Sequence, residues 1–218
     1  MAASTAKRWP LVAAISYAAA VFAGLFVVPA APEVSASGAT LIDYYQHHAD
    51  GVRMVAWLGA VSLLPLALLI AHLRSRLTGI SRDVTLFGAV GLLSATSIWL
   101  WFGAGLALHP AALQPDTART IANISAYFGP TLTVAIILLV TPVGIAAWRG
   151  TPGLSRWLAW ITAVFVIEQS IETVTILSTH GFAAPGGTMN LTVGAGLFLI
   201  WIIAAGIAST TNSTAAPT

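Results

Sequence analysis

A chain of 218 residues, 57% of them hydrophobic and only 7% charged, cannot cover a water-facing surface, for which soluble domains use about 25% charged residues. Its formal net charge of +2 comes from nine basic residues scattered along the sequence, which excludes a basic stripe of the kind that binds nucleic acid. The chain has no cysteine, which excludes disulfides, cysteine-ligated metals and thiol catalysis.

The apolar residues come in six blocks near twenty residues long, the length that crosses a hydrocarbon core about 30 Å thick. This predicts an all-α, polytopic transmembrane helix bundle with the lipid bilayer as its partner, one domain over 1–208, and a disordered tail at 209–218. The first block, 11–30, follows Lys7 and Arg8 and resembles a signal peptide. Its apolar run is longer than a usual signal core, so we read it as an uncleaved first helix. Between it and the second span lies a segment, about 38–51, in which Leu41, Ile42, Tyr44 and Tyr45 alternate with Asp43, His47, His48 and Asp50. That mixture predicts an external amphipathic helix lying in the membrane interface and leading straight into the second span.

The second to sixth spans are expected at about 54–73, 84–108, 121–147, 157–178 and 190–209. Pro65 falls inside the second and Pro130 and Pro142 inside the fourth. Each removes a backbone hydrogen bond and can bend its helix. Trp9, Trp57, Trp148, Trp157 and Trp160 lie near span ends and read as headgroup-zone anchors. Trp99, Trp101 and Trp201 lie deeper.

Lys and Arg set the expected orientation, because cytoplasmic loops keep an excess of them. With the N-terminus inside, Lys7, Arg8, Arg74, Arg76, Arg82, Arg149 and Arg156 are cytoplasmic and only Arg53 and Arg119 are external. Both termini are then cytoplasmic, in a multi-pass protein of the plasma membrane.

The residues that point to chemistry lie in the fifth span. Glu168 and Glu172 are four apart and project from one side of a helix. Counted from Trp157 at 1.5 Å per residue, Glu168 lies roughly 16 Å into the membrane. An acidic group at that depth costs about 2.5–3.5 kcal/mol and belongs against protein or water, not lipid. Two neighbouring carboxylates also repel, which favours a proton shared between them. They are the candidate acid/base pair, with Gln169, Thr175, Arg53, Asp50, His180 and Trp101 as candidate ligand contacts. Asp50 and Arg53, three apart, can pair on a helix. His47, His48, His109 and His180 cluster toward the external face without metal-ligand spacing, so neither a metal nor a cofactor is expected.

The chain contains no phosphate-binding glycine loop, Gly-x-Ser-x-Gly or His-Glu-x-x-His motif, and no lysine other than Lys7, which argues against ATP hydrolysis, serine hydrolysis, zinc proteolysis and Schiff-base chromophores. These residues suggest an outward-facing intramembrane cavity, lined by spans two, four and five, that binds or passes a small lipophilic or protonatable molecule. A membrane-embedded isomerase or cyclase using the two glutamates as acid and base, and an accessory subunit without chemistry, are the alternatives.

Loop signatures add a resemblance. The stretch Tyr44-Tyr45-Gln46-His47-His48-Ala49-Asp50-Gly51-Val52-Arg53, the stop Leu73-Arg74-Ser75-Arg76-Leu77, Pro115-Asp116-Thr117-Ala118-Arg119 and Leu154-Ser155-Arg156-Trp157-Leu158 resemble a bacterial family of six-helix membrane proteins. That family is common in actinobacteria and known only as a domain of unknown function. The resemblance covers spans two to six; it implies the same topology and supplies no site residues.

Overall fold

The computed structural model describes residues 8–211, which form helices joined by short connections, without a strand among them. Helix α1 is Trp9–Gly24, α2 is Gly38–Ser75, α3 is Gly79–Leu106, α4 is Pro115–Ala126, α5 is Phe128–Trp148, α6 is Trp157–Glu172 and α7 is Ala195–Thr211. A 3-10 turn, Pro110–Ala112, precedes α4. A second, Thr173–Leu177, continues α6, and a π-helix, Met189–Gly194, runs into α7. Five helical stretches are long and apolar enough to cross a membrane: Gly38–Ser75, Gly79–Leu106, Pro115–Trp148, Trp157–Leu177 and Met189–Thr210. The bundle turns large apolar side chains outward, among them Leu64, Phe87, Trp101, Ile167 and Leu177. Apolar surface on that scale needs a non-aqueous surrounding.

Three boundaries differ from the sequence reading: those of α1, the expected fourth span and the last helix. Helix α1 begins with Pro10 in its first turn, where the missing N–H costs nothing. It ends at Gly24 in a turn closed by Phe22, so it is shorter than the expected 11–30 span. The expected amphipathic segment and second span form one helix, α2, 38 residues long and capped by Ser37, whose side chain accepts the Thr40 N–H. Only His48, at φ −120° and ψ 16°, interrupts it. The expected fourth span is two helices that meet at Tyr127, and Pro130 stands third in α5, where proline is tolerated. The last helix reaches Thr211, so residues 209–211 of the expected tail are helical; 212–218 and Lys7 lie outside the described residues. Pro65 and Pro142 stay inside unbroken helices.

The helices approach one another at small residues. A Cβ on Gly88 of α3 would strike the backbone of α5 at Ala135 and Leu139. One on Gly144 of α5 would lie 2.6 Å from a Thr162 methyl on α6, and one on Gly206 of α7 would lie 2.7 Å from Ala14 of α1. Without water to drive association, contact between bare backbones is how helices gain packing energy in lipid. These contacts make α5 the central helix, between α3 and α6, with Leu139, Val140 and Val143 fully buried. The main core joins them to Leu66, Leu69 and Leu73 of α2, Leu158 and Phe165 of α6, and Trp201 and Ile202 of α7.

A second, smaller core sits at the other end of the molecule. Leu41 and Tyr45 from the first turns of α2 bury themselves against Leu106 and Ala107, with Leu113, Ile121 and Ala122 packed around them. Gly38 lies against the carbonyl of Pro115, too close for any side chain, and Tyr44 donates its hydroxyl to the Pro29 carbonyl at 2.8 Å. The start of α2, the Pro110–Ala112 turn and α4 thus form a cap over one end of the bundle.

Candidate functional site

The buried face of α6 begins apolar and turns polar. Leu158, Thr162 and Phe165 are followed on the same stripe by Gln169, Glu172 and then Thr175, all buried. The spacing of three and four residues puts them one above another. Thr162 is satisfied by the α6 carbonyl of Leu158 at 2.8 Å and accepts the indole N–H of Trp201 at 2.9 Å.

Gln169 joins the two glutamates. Its amide Nε2 donates to Glu168 Oε2 at 2.9 Å and to Glu172 Oε2 at 2.5 Å, so one nitrogen holds both carboxyl groups together. The other oxygen of Glu172 accepts from Nδ2 of Asn190, the second residue of the π-helix. Asn190 is itself oriented by the Gly186 N–H, which donates to its Oδ1 at 3.1 Å. Gly186 has φ +69°, a left-handed conformation that glycine adopts without penalty. Both oxygens of Glu172 therefore accept a hydrogen bond, and the residue is enclosed: it is 3% exposed, and a Cβ on Gly194 would collide with its carboxyl group.

Three helices depart from α geometry around this carboxylate. Helix α6 tightens into the 3-10 turn immediately after Glu172, and the π-helix contributes both Asn190 and Gly194. The break at Tyr127 places Gly129 over Asn190, with a would-be Cβ 3.1 Å from that side-chain amide. Short π segments inside helices occur frequently at functional sites. Broken helices at membrane depth are tolerated where protein or a polar cavity satisfies the freed backbone.

Two acceptors in this cluster lack donors. Glu168 Oε1 and Gln169 Oε1 are buried and hydrogen-bonded to nothing. Each belongs to a side chain whose other polar atom is tied into the Gln169 bridge. The cluster thus has more acceptors than donors, and what it can take up is an N–H, an O–H or a proton.

The remaining sequence candidates lie apart from this cluster. Thr175 is close in the chain but turns its hydroxyl to the Glu172 carbonyl at 2.7 Å. Arg53 pairs with Asp50 on the exposed side of α2, as their spacing suggests, and does not bond to the glutamates. His180 is exposed and contacts Thr179 at 3.1 Å, and Trp101 is 69% exposed on the outside of the bundle. The histidines also stay separate. His47 bonds the Asp43 carbonyl at 2.8 Å, and His48 packs on Tyr44 with ring centres 5.0 Å apart. Among the described residues no three His, Asp or Glu side chains converge as a metal site. A shallow cleft of about 320 Å³ lies beside the His48 kink, lined by Val27, Val28, Gln46, His47, His48 and Asp50, away from the glutamate pair.

Asn190 is the residue that sequence reading missed. It is the one amide in an otherwise apolar last span, and that isolation was the available signal. The chain matches no protein-family model, no curated protein and no solved structure.

Proposed function

We propose that this chain is a multi-pass plasma-membrane protein with six spans and both termini cytoplasmic. Its polar cluster of Glu168, Gln169, Glu172 and Asn190 binds or passes a small lipophilic molecule that presents a hydrogen-bond donor, such as a protonated amine. The observation that supports this reading is the pair of buried, donorless oxygens, Glu168 Oε1 and Gln169 Oε1, beside a fully bonded Glu172. A buried acceptor without a partner costs about 1–3 kcal/mol, and a ligand N–H or O–H recovers that energy. Six spans rest on the five long apolar helices together with the shorter apolar helix Trp9–Gly24, and the inside location of the termini rests on the distribution of Lys and Arg. Membership of the six-helix family its loops resemble accords with this reading and adds no site residue.

The two glutamates divide the work. Glu172, held by Gln169 and Asn190 and backed by Gly194, is the fixed member that sets the position of the cluster. Glu168 has one free oxygen and meets the ligand.

The test compares three eight-carbon probes on the purified protein in lipid nanodiscs, read by native mass spectrometry and by thermal shift. Octylamine and octanol, which donate hydrogen bonds, are expected to bind saturably and raise Tm, and octanoate is not. E168Q is expected to weaken octylamine binding at least about tenfold, the worth of one charge-assisted bond, with Tm of the unliganded protein kept. Equal response to all three probes, or loss of Tm in E168Q without loss of discrimination, overturns the site and leaves the cluster as a helix clamp. A probe released with altered mass or isomeric form would mark an enzyme instead.

A further inference from the structure

Arginines scattered in the sequence gather at the end of the bundle opposite the cap. Trp9, at the start of α1, meets His72 near the end of α2 with ring centres 4.9 Å apart. The end of α2 in turn reaches the 149–156 connection, where the Arg76 guanidinium lies against Gly153, within 2.8 Å of where a Cβ would stand. The Arg156 guanidinium lies 3.8 Å from the corresponding position of Gly150. Two guanidinium groups therefore flank one tight turn whose glycines have φ +75° and +85°. Any side chain at Gly153 would occupy the space Arg76 uses.

Basic charge outweighs acidic charge at this end. Arg8, Arg74, Arg76, Arg82, Arg149 and Arg156 belong to it, and Asp83 is its only acid among the described residues. The ion pairs of the described residues lie instead at the other end, on α2, between Arg53 and Asp50 and between His47 and Asp43. Arg74, two residues earlier on α2, is half-buried, and its Nε is enclosed with no acceptor. Flanking the turn, Trp148 and Trp160 stack edge to face at 5.4 Å and remain 58% and 65% exposed, with Trp157 beside them.

We propose that Arg76 and Arg156 bind the phosphodiester headgroup of an anionic phospholipid over the 150–153 turn. Guanidinium forks match phosphate oxygens two at a time, and no carboxylate competes for them. Free phosphate shares this chemistry. The lipid is the better occupant because the exposed indoles beside the turn belong at the headgroup level and the outward apolar faces below them receive the acyl chains. This site is independent of the glutamate cluster and stands or falls without it.

The full chain, purified in detergent, is titrated with phosphatidylglycerol, phosphatidylcholine or inorganic phosphate, and retained ligand is read by native mass spectrometry. Phosphatidylglycerol is expected to be retained about tenfold more than phosphatidylcholine, and R76Q/R156Q to remove that preference, in line with the attraction of two arginines to an anionic surface. R156Q alone, read the same way, is expected to give an intermediate loss and covers the case in which the double variant does not fold. R119Q, on α4 at the opposite end, is expected to leave retention unchanged. Equal retention of the two lipids, a double variant that holds phosphatidylglycerol as the parent does, or displacement of the lipid by equimolar inorganic phosphate would each overturn the proposal.

Discussion

The arginine-end half of the bundle and the half below the cap use opposite ways of joining helices. Near the arginine end, α3, α5, α6 and α7 stay regular and touch through Gly88, Gly144 and apolar side chains, and the Trp201 indole donates to Thr162 between α7 and α6. Below the cap the same helices break, at Tyr127, after Glu172 and before Ala195, and the contacts become amide to carboxylate. The difference follows from what is buried. An apolar stripe packs best on an ideal helix, whereas a buried carboxylate needs donors at fixed positions, and the backbone bends, tightens or widens to bring them.

Substitutions can test that contrast. The largest effect is expected from G88V in the regular half, because the new side chain meets backbone atoms of α5 at Ala135 and Leu139 that cannot rotate away. Overpacking of this kind costs about 3 kcal/mol or more, and we expect little folded protein in a detergent-solubilised thermal melt. If G88V melts like the parent, close backbone contact does not organise that half. N190A should come next. It leaves one Glu172 oxygen without its donor, a loss of about 1.5–3 kcal/mol for a bond to a charged group. Amide exchange in Met189–Gly194 should rise with it, and unchanged exchange there would detach the π-helix from the carboxylate. The smallest effect is expected from W201F, which removes the bond to Thr162 at about 1 kcal/mol. Its melt should shift slightly without altering exchange in the π segment. A W201F shift as large as that of N190A would erase the distinction between the halves.

Legibility in the sequence followed the same division. Hydropathy located the spans that pack as regular helices, and the pairing of Glu168 with Glu172 on α6 was readable from spacing alone, whereas the burial of Gln169 beside Glu172 was not. The break in the expected fourth span was not readable. Pro130 signalled a disturbance, but a proline in the middle of a helix and a proline in the first turn of a new one look alike in one dimension. The amphipathic segment was legible as leading straight into the second span, but what its apolar face packs against was not. Leu41 and Tyr45 mark an apolar face, and only the neighbours Leu106 and Ile121 show that it lies on α3 and α4. Trp101 and His180 drew attention through residue type and depth, yet a residue's depth in the membrane does not say which way its side chain faces.

The sequence by itself determined that this chain folds as apolar helices and that a carboxyl pair lies on one side of α6, because both depend on residues adjacent or one turn apart. Tertiary structure decided which donors complete that pair. Asn190 is 18 residues from Glu172, and the amide reaches the carboxylate only because the π-helix, the 3-10 turn and the gap at Tyr127 bring three helices to one level. The arginines followed the same rule: their number was fixed in the chain, but their meeting over one glycine turn depended on how the end of α2 docks against the 149–156 connection.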